Sequence, residues 1–504
     1  MDNTTAARWQ VRGRPRGKQR QALHSLPRFE RWPLCVSDTL DPNALPYAVP
    51  KSALPGVRWP AVPDAAASRM LALQFQLQQS QWWPPEVIEK RQFEQLRHVL
   101  AHALRTVPFY RERLAQAGFD SRVPLQRELW ARIPLATRKQ LQLHRQELRS
   151  SAIPPEHGKV TEISTSGSTG TPLTIWATAT YALIWQAITL REHFWHRRDF
   201  DAKLAVIRTQ PSGGAQYPQG VLAPGWGPST DVAYTTSPTP TLNPTCGAPE
   251  QAEWLARQNP DYLLIGATRA LELARHFCRT GLKLARLREV RTLGEVIADD
   301  LREQCREAWG ARVVDMYSAR EIGYLALQCP EHEHYHVQSE NVLMEILDEQ
   351  GRPCREGEIG RVVVSTLHNF ATPLIRYEIG DYAEVGGTCP CGRGLPVIKR
   401  IMGRVRNMMT MPDGTRRWPN FMLDKAHSDL PPAQMQIVQT ALHTLELRAA
   451  PARPLVAHEH TRMLEYLRDW AGPQFKVGVR IVDAIPRNAG GKFEEFMSLI
   501  EDGE

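Results

Sequence analysis

Short apolar segments alternate with amphipathic segments between residues 203 and 318, and this alternation restricts the chain to a layered fold. KLAVIRT (203–209) and DYLLIG (261–266) are compact apolar runs, as expected of buried strands. The segment ATRALELARHFCRT (267–280) and the stretch from Ala298 to Gly310 carry apolar residues at helical spacing. Strands and helices in alternation predict an α/β domain with a sheet covered by helices.

The flanking regions predict further organisation. Residues 1–65 are proline-rich and basic, and we expect a partly disordered N-terminal extension. Apolar residues from Phe93 to Val107 recur at helical spacing, and Pro108 is expected to end this helix. The proline-rich run 237–245 is predicted to be a loop or lid. The predicted domains are the extension 1–65, a large multi-layer domain 66–402 with sheets and flanking helices, and a small α+β domain 403–504.

Charge and composition exclude several classes of protein. Residues 1–31 hold eight lysines and arginines and two acids, so this segment carries +6 and the rest only +2 of the net +8. The nearly neutral body is a poor nucleic-acid surface; the tail is either a solvated arm or a contact for RNA or anionic lipid. No apolar run approaches the roughly 20 residues of a membrane span, and no apolar segment follows the basic N-terminal residues as in a secretory signal. We therefore expect a cytoplasmic protein with neither a membrane nor a nucleic acid as partner.

A glycine- and hydroxyl-rich run predicts an anion-binding loop. TSGSTGTP (165–172) follows the β-type segment VTEIS and combines flexible glycines with serine and threonine hydroxyls. Backbone N–H groups in such a loop can surround a phosphate. The run lacks the lysine of a Walker A loop, and a serine-glycine surface turn would have the same composition.

Five further motifs follow this loop in a fixed order. They are LGE (293–295), DMYSARE (315–321), PLIRYEIGD (373–381), MGRVRN (402–407) and GGK (490–492). Together with the loop they resemble the core motifs of the adenylate-forming ligases, the superfamily of acyl-CoA synthetases, peptide-synthetase adenylation domains and luciferases. Two more segments, AHALRTVPFYR (101–111) and IPLATRKQL (133–141), are similar to the phenylacetate–CoA ligase branch. The resemblance covers roughly residues 70–504.

The resemblance implies an ATP site. The loop residues would hold the β- and γ-phosphates, Tyr317 would stack on adenine, Asp315 would accept from its amino group, and Asp381 would accept from both ribose hydroxyls. Glu321 would help to bind Mg²⁺. The residues implied in ATP or AMP binding are Ser166, Gly167, Ser168, Thr169, Gly170, Gly294, Glu295, Asp315, Tyr317, Ser318, Asp381 and Arg404.

The same resemblance implies three catalytic residues, Lys492, Glu321 and Thr169. Lys492 follows two glycines near the C-terminus, so a mobile small domain can bring its charge to the reacting carboxylate and the α-phosphate. An exposed C-terminal lysine without a role is the alternative interpretation.

Some positions depart from the family pattern. Ser318 and Arg320 stand where glycine and threonine are usual, and Arg406 and Asn407 replace acids expected at the interdomain hinge. These changes leave open whether the hinge acts in the second half-reaction as it does in the family, and therefore whether CoA is the acyl acceptor.

Cysteine and histidine residues flank the β-rich region and predict a structural zinc site. CPEHEHYH (329–336) and CPC (389–391) supply three thiolates and an imidazole, a usual tetrahedral set for Zn²⁺, and members of the resembling branch carry a similar pattern. Free cysteines and surface histidines are the alternative, and His332 and His334 are alternative ligands. The predicted ligands are Cys329, His336, Cys389 and Cys391.

The function implied is ATP-dependent activation of a carboxylic acid, expected to be aromatic, as an acyl-adenylate, followed by transfer to CoA or a carrier-protein thiol. An amide ligase that transfers to an amine and a non-catalytic nucleotide-binding regulator remain alternatives. A homodimer is expected from the family alone. The predicted acyl pocket is lined by Gly266, Ala267, Thr268 and Met316.

Overall fold

A computed structural model describes residues 48–165, 172–210, 213–404, 407–419, 433–451, 453–485 and 494–500. Among these residues no helix is long and apolar enough to span a bilayer. The described helices are α1 (Ala65–Ser80), α2 (Pro85–Thr106), α3 (Pro108–Ala117), α4 (Arg127–Arg132), α5 (Arg138–Leu143), α6 (Ala179–Trp195), α7 (Pro228–Asp231), α8 (Ala248–Gln258), α9 (Ala267–Thr280), α10 (Leu301–Trp309) and α11 (Ala457–Ala471).

The strands form one large sheet and three small ones. They are β1 (Ala136–Thr137), β2 (Val160–Ser164), β3 (Thr174–Thr178), β4 (Leu204–Ile207), β5 (Val221–Ala223), β6 (Thr239–Leu242), β7 (Tyr262–Ile265), β8 (Glu289–Leu293), β9 (Arg312–Ala319), β10 (Gly323–Gln328), β11 (Tyr335–Val337), β12 (Val342–Leu347), β13 (Ile359–Thr366), β14 (Tyr377–Val385), β15 (Val397–Arg404), β16 (Met409–Thr410), β17 (Arg416–Arg417), β18 (Ala433–Ala441), β19 (Thr444–Pro451), β20 (Lys476–Ile481) and β21 (Phe496–Ser498).

The large sheet confirms the predicted α/β fold. Its order is β12-β13-β14-β15-β11-β10-β9-β8-β7-β4-β6-β5, with β1 on β14. The run β6-β4-β7-β8-β9 is parallel, and α9 and α10 lie in its crossover connections. Both helices bury the faces that the sequence predicts: Ala270, Ala274 and Phe277 on α9, and Leu301 and Cys305 on α10.

One prediction about prolines is confirmed and one is corrected. Pro108 ends α2 as expected, but it also occupies the first turn of α3, where its missing N–H costs nothing. The proline-rich run 237–245 contains strand β6 rather than only a loop. The ladder tolerates Pro240 because the register with β4 uses Thr241 and Leu242, while Pro240 lies opposite Leu222 of β5.

The C-terminal part has its own sheet, in the order β20-β19-β18-β21. Helix α11 packs on it and contributes Met463 and Leu467 to a core with Ile437 and Leu447. This α+β unit lies within the predicted small domain. The domain limits at residues 65 and 402 stay predictions.

The order of the large sheet positions the candidate site. The hairpin formed by β9 and β10 turns at Ala319–Gly323, and Gly323 has a φ of +86°, which favours glycine. Strands β14 and β15 pair so that Asp381 lies opposite Arg404. The short strand β1 runs parallel to β14 and brings residues near 137 to the same region.

Candidate active site

Three of the predicted nucleotide residues meet at the hairpin of β9 and β10. The hydroxyl of Tyr317 donates to Oδ2 of Asp381 at 2.8 Å. The guanidinium Nε of Arg404 lies 3.4 Å from Oδ1 of the same carboxylate, as expected from their opposed positions in the ladder. Burial, followed by the charge of Asp381, raises the pKa of Tyr317 well above its ordinary value, so the phenol keeps its proton.

Glu321 lies in the hairpin turn and is almost completely buried. One guanidinium nitrogen of Arg138 donates to its Oε1 at 3.2 Å, and the hydroxyl of Tyr377 lies 3.3 Å from the same oxygen. The charge of Glu321 also contributes to the raised pKa of Tyr317, which places the two groups of residues close together. The pair Arg138–Glu321 is therefore part of the same site.

Arg138 was not assigned a role by sequence reasoning. Its second terminal nitrogen donates to Oγ1 of Thr165 at 2.8 Å, and Thr165 is the last described residue before the predicted phosphate loop. Arg138 is the first residue of α5, where Thr137 and Gln140 form a capping box. The available signal was this capping pattern within IPLATRKQL, which marks a helix start but does not identify what the next side chain contacts.

The predicted phosphate loop connects the paired strands β2 and β3. Thr165 and Leu173 exchange hydrogen bonds, with Thr165 N–H donating to Leu173 O at 2.9 Å and Leu173 N–H donating to Thr165 Oγ1 at 2.9 Å. Ser166, Gly167, Ser168, Thr169 and Gly170 lie outside the described residues.

Lys492 and Arg406 also lie in undescribed parts of the chain. Their predicted roles, in catalysis and at the hinge, stay predictions.

Asp315 is held by hydrogen bonds to other strands of the large sheet. Its side chain is buried, and its two oxygens accept hydrogen bonds from Thr292 Oγ1 at 2.6 Å and Tyr335 hydroxyl at 2.9 Å. Its own N–H donates to Gln328 at 2.9 Å. Burial raises the pKa of Asp315. These bonds link β8, β9, β10 and β11, and the predicted adenine contact of Asp315 stays a prediction. Ser318, in turn, is half-buried and pairs with Tyr324 across the hairpin.

Glu295 connects the predicted adenine segment to the predicted acyl pocket. The N–H of Thr268 donates to Glu295 Oε2 at 2.8 Å, so this carboxylate caps α9, whose own N-cap, Gly266, offers no side chain. A methyl group at Gly266 would lie 3.1 Å from the same oxygen. Gly294 has a φ of +76° and turns the chain toward this cap. The residues Gly266, Ala267, Thr268, Gly294 and Glu295 therefore form one neighbourhood.

Met316 lies beside this neighbourhood, because it pairs with Leu293, the residue before Gly294, across β8 and β9. Its side chain is buried in a cluster with Tyr324 and Leu327, and its sulfur lies 3.6 Å from the Tyr324 hydroxyl and 3.8 Å from Arg291. Met316 and Tyr317 point to opposite faces of the sheet because side chains alternate along a strand, and the role of Met316 in the acyl pocket stays a prediction.

The four predicted zinc ligands converge. Their ligand atoms all lie within 4.8 Å of one another, with Cys391 Sγ 3.4 Å from His336 Nε2 and Cys329 Sγ 3.9 Å from Cys389 Sγ. The other ring nitrogen of His336 lies 3.4 Å from Leu395 O, an arrangement that directs Nε2 toward the thiols. A Cys₃His set at this spacing fits Zn²⁺. His332 and His334 stack on each other, and the group of convergent ligands found in the described chain does not include them.

Sequence comparisons find similarity to known proteins. No family model matches the sequence. The chain is 25% identical over 450 residues to a phenylacetate–coenzyme A ligase of Thermus thermophilus, covering 82% of this chain and 97% of the relative. A phenylacetate–coenzyme A ligase of Pseudomonas putida is 25% identical over 333 residues, covering 64% of this chain and 72% of the relative.

Solved structures show the same architecture. A 2-hydroxyisobutyryl-CoA ligase in the postadenylation state, in complex with R3-HIB-AMP, aligns with a TM-score of 0.65 and 19% identity over 83% of this chain and 91% of the other. The same enzyme with 2-HIB-AMP and CoA in the thioesterification state aligns with a TM-score of 0.54 and 19% identity over the same shares. At this identity the structural similarity shows the fold. Together with the ordered motifs and the two relatives, it agrees with the resemblance to the adenylate-forming ligase superfamily.

Proposed function

We propose that the protein activates a carboxylic acid with ATP, forms an acyl-adenylate and pyrophosphate, and then transfers the acyl group to CoA with release of AMP. The observation that carries this proposal is the convergence of Tyr317, Asp381, Arg404 and Glu321 at the hairpin of β9 and β10. Arg320 of the same hairpin donates to Ser164 O, at the end of the strand that leads into the phosphate loop, at 3.1 Å. Both relatives are phenylacetate–coenzyme A ligases, and the solved 2-hydroxyisobutyryl-CoA ligase is in complex with R3-HIB-AMP.

Asp381 is suited to bind the ribose. An ionised carboxylate offers about four acceptor positions on two oxygens, and Tyr317 and Arg404 use two of them. The remaining positions can accept from the two ribose hydroxyls. Because Tyr317 is held by this hydrogen bond, its ring has a fixed orientation for stacking on a base.

The phosphate end of the site needs positive charge, since the loop 165–172 has no lysine. Arg138 is well placed to supply it, because it bonds to Glu321 and to the residue at which the loop begins. Glu321 would bind Mg²⁺ beside the phosphates, and Lys492 would neutralise charge at the reacting carboxylate. Arg138 and Lys492 thereby replace the single lysine of a Walker loop.

We further propose that the acid is aromatic. Trp185 lies against the hairpin turn, its ring 3.4 Å from the position of a methyl group at Gly323. It makes edge contacts with Tyr181 at 6.1 Å and Tyr324 at 6.3 Å between ring centroids. An aromatic acyl group would find ring partners in this cluster near the turn that carries Glu321. The relatives' substrate, phenylacetate, has the same character.

The proposal is tested by acid-dependent exchange of labelled pyrophosphate into ATP. We expect arylacetic and benzoic acids to support exchange more strongly than aliphatic acids of equal size. With CoA present, the product should be the acyl-CoA, and a carrier-protein thiol or an amine in place of CoA should give little product. If no acid of a broad panel supports exchange, the enzyme is not a ligase of this kind; if only an amine is acylated, the acceptor is wrong. Gel filtration of the same sample tests the predicted homodimer.

We also propose that the Cys329, His336, Cys389 and Cys391 cluster holds a structural Zn²⁺. The ligands come from the ends of β10 and β11 and from the connection between β14 and β15, so a bound ion would fix three segments that carry no disulfide. It would supply no chemistry to the reaction.

Untagged protein is expected to contain about one zinc per chain. Cys389→Ser and Cys391→Ser should lose the metal and lower the melting temperature, because the thiolate ligands that link these segments are removed. Cys278→Ser is the matched control, since Cys278 is an exposed cysteine outside the cluster. Metal analysis and thermal melting provide the measurements. Metal-free wild-type protein with an unchanged melting temperature would contradict the assignment.

A further inference from the structure

The two residues at the base of the phosphate loop are each held by an arginine from another part of the chain. Thr165 Oγ1 accepts a hydrogen bond from one terminal nitrogen of Arg138 at 2.8 Å. Ser164 O, one residue earlier, accepts from a terminal nitrogen of Arg320 at 3.1 Å. Arg320 and Glu321 are consecutive residues of the turn between β9 and β10, and Glu321 contacts Arg138. Two guanidinium groups therefore fix the base of the loop beside this turn.

The charge of Arg320 is not neutralised by a carboxylate in the part of the chain that the structure describes. Glu321 is paired with Arg138, and Glu162, the acid of strand β2, lies 3.1 Å from Arg145. The bond of Arg320 goes to a backbone carbonyl, which carries no net charge. Its side chain is exposed, and its Nε and second terminal nitrogen have no partner among the described residues. A cation with unused donors therefore lies at the base of the loop.

The fold of this region does not depend on Arg320. The turn is closed by the N–H of Ile322, which donates to Ala319 O at 3.1 Å, and β2 is paired with β3 along its whole length. Replacing an exposed side chain such as this one usually changes the stability of a protein very little. Threonine, the usual residue at this position in the resembling family, has no charge and a shorter side chain. The arginine adds a positive charge that the fold itself does not require.

We propose that Arg320 binds the β- and γ-phosphates of ATP and then the pyrophosphate that leaves, an inference that rests on the proposed function. One terminal nitrogen would stay on Ser164 O while the other N–H donors bind phosphate oxygens, because a planar guanidinium can hold two acceptors at once. The β- and γ-phosphates are favoured over the α-phosphate because Arg320 is fixed to the strand that leads into the loop. Tyr317 and Asp381 form the ribose end of the site, on the other side of the turn.

This role predicts different effects on the two half-reactions. Pyrophosphate bound to Mg²⁺ still carries net negative charge, and a second arginine beside the loop would complement it in the first half-reaction. The acyl-adenylate contains only the α-phosphate, so its reaction with CoA does not involve the phosphates that Arg320 would contact. Loss of Arg320 should therefore affect pyrophosphate and leave the thioester-forming step unchanged.

Binding of pyrophosphate in the presence of Mg²⁺ tests this assignment without turnover, by calorimetry on the full-length protein at constant ionic strength. Arg320→Ala and Arg320→Gln are each expected to weaken binding at least about tenfold, the equivalent of one lost charge-assisted contact. Glutamine keeps an N–H donor for Ser164 O but has no charge, whereas Arg320→Lys keeps the charge and should recover part of the affinity. Arg111→Ala, which removes an exposed arginine of α3, is the matched control and should bind within about twofold of the wild type.

Kinetics of the same variants test the predicted difference between the half-reactions. In acid-dependent exchange, Arg320→Ala should raise the KM for pyrophosphate at least about tenfold and change kcat much less. Acyl-adenylate supplied directly should react with CoA at the wild-type rate. A residue that only supported the structure would not separate these quantities.

Two results would overturn the assignment. If Arg320→Gln binds pyrophosphate as tightly as the wild type, Arg320 only ties the strand to the turn. If Arg320→Ala slows the reaction of supplied acyl-adenylate with CoA as strongly as it slows exchange, its contact is with the α-phosphate. Failure of the proposed function is distinguishable, because the wild-type protein would then show no acid-dependent exchange; unchanged pyrophosphate binding in variants of an enzyme that does exchange refutes the role of Arg320 alone.

Discussion

Replacing Lys492 with alanine is expected to lower acid-dependent pyrophosphate exchange by roughly 10²- to 10³-fold, the usual effect of removing one preorganised charge or donor from a reacting centre. The carboxylate that attacks ATP and the α-phosphate that it attacks are both negative, so a cation between them lowers the barrier directly. The KM for ATP should change much less, since the phosphates and ribose would be held by other residues. Steady-state exchange kinetics provide the measurement.

The second half-reaction separates this role from a general loss of structure. Acyl-adenylate supplied directly to Lys492→Ala should still react with CoA at close to the wild-type rate, because the charge is needed when the adenylate forms. Lys476→Ala is the matched control, an exposed lysine in β20 of the same C-terminal sheet, and should retain full exchange. Equal loss of both half-reactions, or normal exchange in Lys492→Ala, would refute the catalytic assignment.

Local pattern in the sequence was sufficient to predict the layered fold. The apolar runs at 203–209 and 261–266 contain β4 and β7. Helices α9 and α10 bury their apolar faces, as the helical spacing of the apolar residues predicts. These features depend on nearest neighbours along the chain and on the need to cover an apolar strand. The loop predicted at 237–245, which contains β6, was wrong for a related reason. It was predicted from proline content alone, and composition does not indicate which edge of a strand each proline faces.

The candidate site was predicted as a set of residue types but not as an arrangement. The resemblance identified Tyr317 and Asp381, but their hydrogen bond depends on the order of β9 and β14 in a sheet that joins distant segments. The same dependence applies to Asp315, whose carboxyl accepts hydrogen bonds from Thr292 on β8 and Tyr335 on β11. The order of the motifs indicates which residue types the resemblance assigns to the site. Whether each of these side chains is buried depends on neighbouring strands of the sheet, which lie outside the motif.

The role of Arg138 was not predicted from the sequence, because its contacts also depend on the order of the strands. It lies 183 positions before Glu321 and reaches it because β1 adds to the large sheet next to β14, with Ala136 opposite Tyr377. A two-residue strand carries almost no signal in a sequence. The contact between Arg138 and Glu321 therefore depends on the assembled sheet and could not be predicted from the sequence.

Replacing Arg138 with alanine is expected to reduce kcat/KM for ATP by about 10²-fold or more, because it removes a charge beside the phosphates. Among the described residues, the nearly buried carboxylate of Glu321 would also keep only the Tyr377 hydroxyl as a hydrogen-bond partner. Breaking a buried ion pair on one side typically costs about 3 to 5 kcal/mol, so the melting temperature should fall as well. Initial-rate kinetics with varied ATP and thermal melting measure the two effects.

Two variants separate the loss of the charge from the loss of stability. In Arg138→Met with Glu321→Gln, no charge remains unpaired, so the melting temperature should recover while the activity stays low. Arg138→Lys should recover part of the activity, since a lysine keeps the charge but cannot contact Glu321 and Thr165 with the two terminal nitrogens of one planar group. If the double variant recovers both stability and activity, Arg138 and Glu321 only support the fold and neither takes part in binding ATP. If Arg138→Ala has a wild-type KM for ATP and a wild-type kcat, the positive charge for the loop 165–172 comes from elsewhere.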